Sequence, residues 1–189
     1  MDQTKAEGFC ELVQNEFEDE VHFAYQALSE DEDLLHELAD SMEEKIRDMG
    51  DNYRLLRVDL NAYAEYDDLI EDLLKKTFSD SKFEKSDTRM RIEGDNSKNW
   101  KYSPEFMFNC ILTKDFPNRD IFTLILIEHY EKAAEIWDST AFGNLRALLC
   151  DSRNTSIVVT SYKTMKEISE QPVGSSPLYN IFEIMRVER

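Results

Sequence analysis

Two apolar runs in the second half of the chain constrain the fold more than any other feature of the sequence. They are IFTLILIE at 121–128 and TSIVVTS at 155–161. Continuous apolar character is typical of a central strand in a parallel sheet, because both faces of such a strand are covered. A segment at 138–150 with apolar residues at helical spacing lies between the two runs. Strand, helix and strand in that order predict two parallel strands of one sheet.

The first half of the chain repeats this alternation. The segments VHFAYQ at 21–26 and YRLLRVDL at 53–60 are rich in strand-forming residues. Helices with an apolar stripe are predicted after them, at 33–48 and 66–77. A helical turn at 163–169 and a last strand in FEIMRV complete the predicted elements. The sequence therefore predicts an α/β fold, a three-layer sandwich in which helices cover both faces of a mostly parallel sheet.

We expect one domain, because 189 residues with 41% hydrophobic content suffice for one substantial core. An N-terminal helical segment occupies 1–20, and the α/β core is predicted to span 21–189. Within the core, residues 79–102 are polar and lack sustained periodicity, which predicts a long excursion from the sheet.

The charge of the chain is strongly negative and unevenly distributed. The net charge is -18, and residues 1–77 hold 23 Asp and Glu against 7 Lys and Arg. Such a surface repels nucleic-acid phosphates and attracts a basic protein surface. We therefore expect a protein partner with a basic face and no direct nucleic-acid binding.

Compartment is indicated by cysteine usage and by the absence of long apolar segments. Cys10, Cys110 and Cys150 are odd in number and widely separated, which is typical of a reducing compartment. No apolar run is long enough to span a membrane, and the N-terminus lacks the pattern of a secretion signal. The sequence predicts a soluble cytoplasmic protein without membrane contact.

Four segments, in this order along the chain, carry a resemblance to a known family. They are LLRVDL at 55–60, LILIEHYEKA at 124–133, FGNLRALLCDSRNTSIVVTS at 142–161 and SSPLYNIF at 175–182. Together they resemble the RecA-like core of prokaryotic P-loop ATPases of the AAA and STAND type, over roughly residues 20–189. The resemblance implies that LILIEH is the Walker B strand. Because the chain stops after the presumed last strand, we expect a core without the lid domain that active members of the family carry.

Both nucleotide motifs of that family are altered in this sequence. The phosphate-binding loop of the family needs glycines, a lysine and a Ser or Thr; the corresponding stretch here holds Glu30, Asp31, Glu32 and Asp33. The Walker B Asp and Glu, for Mg²⁺ and for activation of water, are replaced by Glu128 and His129. We therefore expect no nucleotide, no other cofactor, no metal and no catalysis, as in a pseudo-ATPase that serves as a regulatory or adaptor subunit of a prokaryotic or phage assembly.

Two groups of residues are candidates for partner binding. The acidic cluster Glu30, Asp31, Glu32 and Asp33 lies on a turn between strand and helix, where α/β folds place binding groups; alternatively it only complements the positive end of the helix dipole. Trp100 and Tyr102 belong to an aromatic and basic patch that favours an interface anchor over a platform for stacking nucleic-acid bases.

Two other functions stay open at the level of sequence. An acidic mimic of nucleic acid could inhibit a DNA-binding protein, since carboxylates along helices can imitate phosphates. A metal-dependent hydrolase would need a cation between Asp59 and Glu128, which end strands that are neighbours in the family's strand order. The sequence does not indicate an oligomeric state.

Overall fold

The computed structural model of the chain describes residues 3–79, 121–151, 154–169 and 181–189. The strands in these ranges are β1 (Gln3–Lys5), β2 (Ala24–Leu28), β3 (Tyr53–Asp59), β4 (Phe122–Glu128), β5 (Thr155–Ser161) and β6 (Glu183–Glu188). The α-helices are α1 (Ala6–Glu18), α2 (Glu32–Asp48), α3 (Tyr66–Ser79), α4 (Ala133–Ile136), α5 (Ser139–Asp151) and α6 (Met165–Ser169). Short 3-10 turns at Leu60–Ala62 and Tyr130–Lys132 follow β3 and β4.

The six strands form one sheet in the order β1-β6-β2-β5-β4-β3, and every pairing is parallel. All six strands therefore end at the same edge of the sheet, here called the carboxyl edge. The register places Asp59 opposite Glu128 and Leu28 opposite Ser161 at this edge. The predicted parallel α/β fold is confirmed.

Helices cover both faces of the sheet. The helices α1 and α2 pack on one face over Leu124, Leu126 and Val158, and the helices from α3 onward pack on the other over Ile125, Ile127 and Val159. Alternate residues of β4 and β5 thus enter different cores, which explains why both strands are apolar without interruption. The predicted three-layer sandwich is confirmed.

The N-terminal part of the sheet differs from the prediction. β1 was not expected, since Gln3–Lys5 is short and polar; its pairing with β6 forms it. β2 starts at Ala24, three residues after the predicted start, because Glu20 has φ 58° and Val21 is 46% exposed in the turn that follows α1. α1 is the predicted N-terminal helix, and it packs on α2 within the sandwich.

The strand bounds, the polar excursion and the absence of a membrane span can also be compared with the sequence predictions. Strand β5 has the predicted bounds, and β4 begins one residue later than predicted. Residues 80–102 of the predicted excursion, with Trp100 and Tyr102, lie outside the described residues. No helix in the described ranges has the length and apolar character that a bilayer span requires.

Candidate functional site

The carboxyl edge brings together the ends of four neighbouring strands, β2, β5, β4 and β3. Open α/β sheets place their ligand-binding groups outside the carboxyl ends of the strands. The described residues that the sequence named as candidates for partner, metal or nucleotide binding lie at this edge or in the turns that follow it, which makes the edge the candidate site.

The connection from β2 to α2 is only three residues long, Ser29 to Asp31. Asp31 is the N-cap of α2, since its Oδ1 accepts a hydrogen bond from the Leu34 amide at 3.0 Å. This bond, together with the Arg189 guanidinium 3.2 Å from Asp31 Oδ2, lowers the pKa of the Asp31 carboxyl. Asp31 is therefore engaged within the chain, as in the interpretation that the acidic residues complement the helix end.

The other members of the acidic cluster differ from Asp31 in their surroundings. Glu30, Glu32 and Asp33 are exposed. Arg189 also contacts Glu37 on the first turns of α2, at 3.4 Å. The surface available to a partner is therefore the three exposed carboxylates, and their role in docking stays a prediction.

Glu128, at the end of β4, forms a buried ion pair with Arg57 of β3. The Arg57 Nε lies 2.6 Å from Glu128 Oε1 and Nη2 lies 3.0 Å from Oε2, so that the two groups meet through two parallel bonds. Glu128 is 5% exposed. Such bidentate pairs are among the stronger hydrogen-bonded interactions in proteins. Glu128 stands where the resemblance expects the Mg²⁺ ligand. Its negative charge is neutralised by Arg57, a cation of the same chain.

Arg57 also ties β3 to α2. Its Nη1 lies 2.6 Å from Asp40 Oδ1 and 2.9 Å from Glu43 Oε2. The hydrogen bond from Arg57 lowers the pKa of the Asp40 carboxyl. In return, the Glu128 carboxylate raises the pKa of the guanidinium beyond its usual range. One arginine is therefore shared among three carboxylates.

His36, on α2, is the second hydrogen-bond partner of Glu128. Its Nδ1 lies 3.0 Å from Glu128 Oε2 and 3.4 Å from Arg57 Nη2. A nitrogen facing both a carboxylate and a guanidinium is best satisfied as a donor to the carboxylate, so we assign the proton to Nδ1. Glu128 then accepts three hydrogen bonds, two from Arg57 and one from His36.

His129 and Asp59 form a second pair, across the ends of β4 and β3. His129 has φ 55°, in the left-handed region, and its Nδ1 lies 2.8 Å from Asp59 Oδ1. The same Asp59 oxygen accepts the Asn61 amide at 2.9 Å and so begins the 3-10 turn after β3. A cation between Asp59 and Glu128, as the hydrolase hypothesis requires, would compete with protein donors on both carboxylates. In the described ranges there is no group of three His, Cys, Asp or Glu residues suited to hold a metal ion.

A small cavity lies at the carboxyl edge among the first residues of α2 and the ends of β4 and β5. Its volume is about 10 Å³, roughly the room that one water molecule needs. Pockets for drug-sized ligands usually measure about 300–1,000 Å³. The lining residues are Glu32, Leu35, His36, Glu128, His129, Glu131, Thr160, Ser161 and Tyr162.

Sequence reasoning located Glu128 and His129 correctly at the strand end but missed their partners. The sequence does not point to Arg57 or His36 as partners, and for Asp59 it suggests either a metal ligand or a solvated carboxylate. One signal could have found Arg57: a carboxylate that ends a fully apolar parallel strand is buried and needs a cation, and Arg57 lies two residues before the register partner of Glu128.

Comparison with known proteins shows similarity in structure alone. No protein-family model and no curated protein sequence matches the chain. Among solved structures, the ORC2 protein of Aeropyrum pernix in its ADPNP-ADP complexes has a TM-score of 0.62 at 6% identity, over 96% of this chain and 46% of that one. Drosophila ORC bound to DNA has a TM-score of 0.57 at 11% identity, over 92% of this chain and 39% of that one.

A Walker-type ATPase of Pyrococcus abyssi is also similar, with a TM-score of 0.55 at 16% identity, over 99% of this chain and 55% of that one. This chain thus spans about half of each neighbour or less. The fold is that of P-loop ATPases, as the sequence resemblance predicted.

Proposed function

We propose that this protein is a pseudo-ATPase: a P-loop ATPase fold that binds no nucleotide and acts as a regulatory or adaptor subunit by binding a protein with a basic face. The three-residue connection between β2 and α2 carries the proposal. A phosphate-binding loop of the G-x-x-x-x-G-K-[ST] type uses eight residues, two of them glycines that let the backbone surround the phosphates. Ser29, Glu30 and Asp31 supply neither the length nor the glycines nor the lysine.

The Walker B position supports the same proposal. A carboxylate that holds Mg²⁺ needs an oxygen free for the metal, and Glu128 accepts bonds from Arg57 and His36 on both of its oxygens. His129 stands where the family has its water-activating Glu, and its Nδ1 is bound to Asp59. Metal binding here would require both pairs to break.

The partner and the setting are the further parts of the proposal. The charge of -16 over residues 1–77 favours a basic partner, and the exposed carboxylates Glu30, Glu32 and Asp33 offer it a surface next to the carboxyl edge. We place the protein in a prokaryotic or phage assembly for defence or DNA transactions. One structural neighbour, Drosophila ORC, is described as bound to DNA.

Thermal unfolding with and without nucleotide tests the loss of ATP binding. A ligand present at about 100 times its Kd adds about 2.7 kcal/mol to the stability of the native state. For a domain of this size that is a rise in Tm of roughly 5–10 °C. We expect no rise with ATP and Mg²⁺ at millimolar concentration. A rise of several degrees would overturn the proposal and reopen the enzymatic alternative.

Capture of partners from the native host tests the adaptor role. The triple variant Glu30→Gln, Glu32→Gln and Asp33→Asn leaves the Asp31 cap in place, so the fold should be retained while capture weakens. Competition with duplex DNA separates the adaptor from an acidic nucleic-acid mimic. A mimic loses its partner to DNA, whereas an adaptor retains it.

A further inference from the structure

We propose that the small cavity at the carboxyl edge receives the ammonium group of a lysine side chain from the partner protein. This inference rests on the proposed function, because it specifies which group of a basic partner is recognised. It starts from Glu131, in the turn after β4, and from Glu32, at the start of α2, which both line the cavity.

Glu131 is a buried carboxylate with an unsatisfied hydrogen-bond acceptor. It is 5% exposed, and its Oε2 has no hydrogen-bond partner among the described residues. The other buried carboxylate of the cavity, Glu128, is satisfied by Arg57 and His36. A buried acceptor without a donor is costly, and more so when it is charged. A donor that enters the cavity from outside would therefore be bound favourably.

The charge around the cavity favours a cation as that donor. The lining includes three carboxylates, Glu32, Glu128 and Glu131, and neither lysine nor arginine among the described residues. The charge of Glu128 is balanced by Arg57, which does not line the cavity. The unbalanced negative charge of the lining is therefore that of Glu32 and Glu131. Lys163, the residue after Tyr162, has its ammonium 5.3 Å from the centre of the Tyr162 ring and does not line the cavity.

Size and ligand number distinguish lysine from other cations. A cavity of about 10 Å³ accommodates a compact ammonium, whereas the planar guanidinium of arginine is larger. A divalent metal prefers several converging ligands, and no group of three suitable side chains occurs in the described part of the chain. An ammonium has three N–H donors, and the carboxylates of Glu32 and Glu131 together offer four acceptor oxygens. Leu35, which also lines the cavity, offers an apolar wall to the methylene stem.

Binding of labelled oligolysine and oligoarginine peptides of equal length, measured by fluorescence anisotropy at fixed salt, tests the proposal. Wild-type protein should bind oligolysine more tightly than oligoarginine. Glu131→Gln should weaken oligolysine binding about tenfold, because a bond to a charged group is lost. Glu135→Gln is the matched control, because this substitution removes the same charge nearby on α4. The Glu135 side chain is 66% exposed. Equal effects of the two variants would overturn the proposal.

One further measurement keeps the test independent of how the variants fold. On wild-type protein, an oligolysine peptide with trimethylated ammonium groups keeps its charge but is bulkier and cannot donate hydrogen bonds. It should bind about tenfold more weakly than the unmodified peptide, and equal binding would overturn the proposal. A stoichiometric Mn²⁺ site seen by electron paramagnetic resonance and lost in Glu131→Gln would also overturn it, by assigning the cavity to a metal. Equal binding of oligolysine and oligoarginine, with no response to ATP, would remove this inference and leave the pseudo-ATPase proposal standing.

Discussion

Replacing Arg57 by methionine should destabilise the protein by about 3 kcal/mol, most of it through one lost interaction. Removing one partner of a buried ion pair typically costs about 3–5 kcal/mol, because the other charge stays buried without compensation. The Glu128 side chain is 7% exposed and that of Arg57 is 19% exposed, so the pair is mostly desolvated. His36 still donates to Glu128 in the variant, which places the expected cost at the low end of the range.

The other two ion pairs of Arg57 add little to this figure. The side chains of Asp40 and Glu43 are 59% and 35% exposed. Exposed ion pairs contribute roughly 0–1 kcal/mol each, since solvent screens them. Arg47→Met is the matched control, because Arg47 is 69% exposed and pairs only with Glu43 among the described residues. It should cost under about 0.5 kcal/mol.

Equilibrium unfolding in urea, followed by circular dichroism, measures both variants. The midpoint should shift at constant m, which reports a change in stability without a change in the compactness of either state. A double-mutant cycle with Glu128→Leu isolates the pair, and we expect a coupling energy of about 2 kcal/mol. If Arg57→Met stays within about 1 kcal/mol of wild type, Arg57 does not compensate a buried Glu128. Glu128 would then be open to a metal ion, and the proposed pseudo-ATPase would lose one of its two supports.

Two further substitutions test other parts of the structure. The pKa of Asp40 is lowered by Arg57, so the native state binds fewer protons than the unfolded state as the pH falls toward the ordinary value of about 3.9. Its contribution is therefore present above that pH and lost below it, and Asp40→Asn should flatten the fall in urea midpoint between pH 5 and pH 3; an unchanged slope would contradict this. Tyr130 is fully buried and its hydroxyl has no partner among the described residues, so Tyr130→Phe should raise stability by about 1 kcal/mol. A lower urea midpoint would instead reveal a hydrogen bond to that hydroxyl.

The sequence predicted strands with a clear apolar pattern better than strands without one, for a physical reason. β4 and β5 are covered on both faces, and consecutive apolar residues therefore mark them in the sequence. The bounds of both strands were predicted to within one residue. β1 carries no such pattern, because three polar residues pair only through their backbone with β6. The start of β2 was misplaced since Val21 has a strand-forming side chain but lies exposed in a turn.

In the candidate site, too, the positions of residues within their strands and helices were predictable, whereas contacts between distant residues were not. The position of Glu128 and His129 at a strand end follows from the local pattern, and so does the placement of Asp31 at a helix start. Their partners do not, because Arg57 and Glu128 are 71 residues apart and Asp59 and His129 are 70 apart. Such pairs become predictable only once the register of β3 on β4 is known.

The connection after β2 and the end of β4 meet at the carboxyl edge, so the proposed loss of nucleotide binding involves both. A longer glycine-rich connection after β2 would still face a Glu128 whose oxygens are bound by Arg57 and His36. Removing Arg57 would free only Oε1 of Glu128, because His36 still binds Oε2. It would also cost about 3 kcal/mol, a large fraction of the roughly 5–15 kcal/mol that typically separates folded from unfolded states. The internal ion pair thus stabilises the fold and at the same time occupies the carboxylate that a metal at the end of β4 would need.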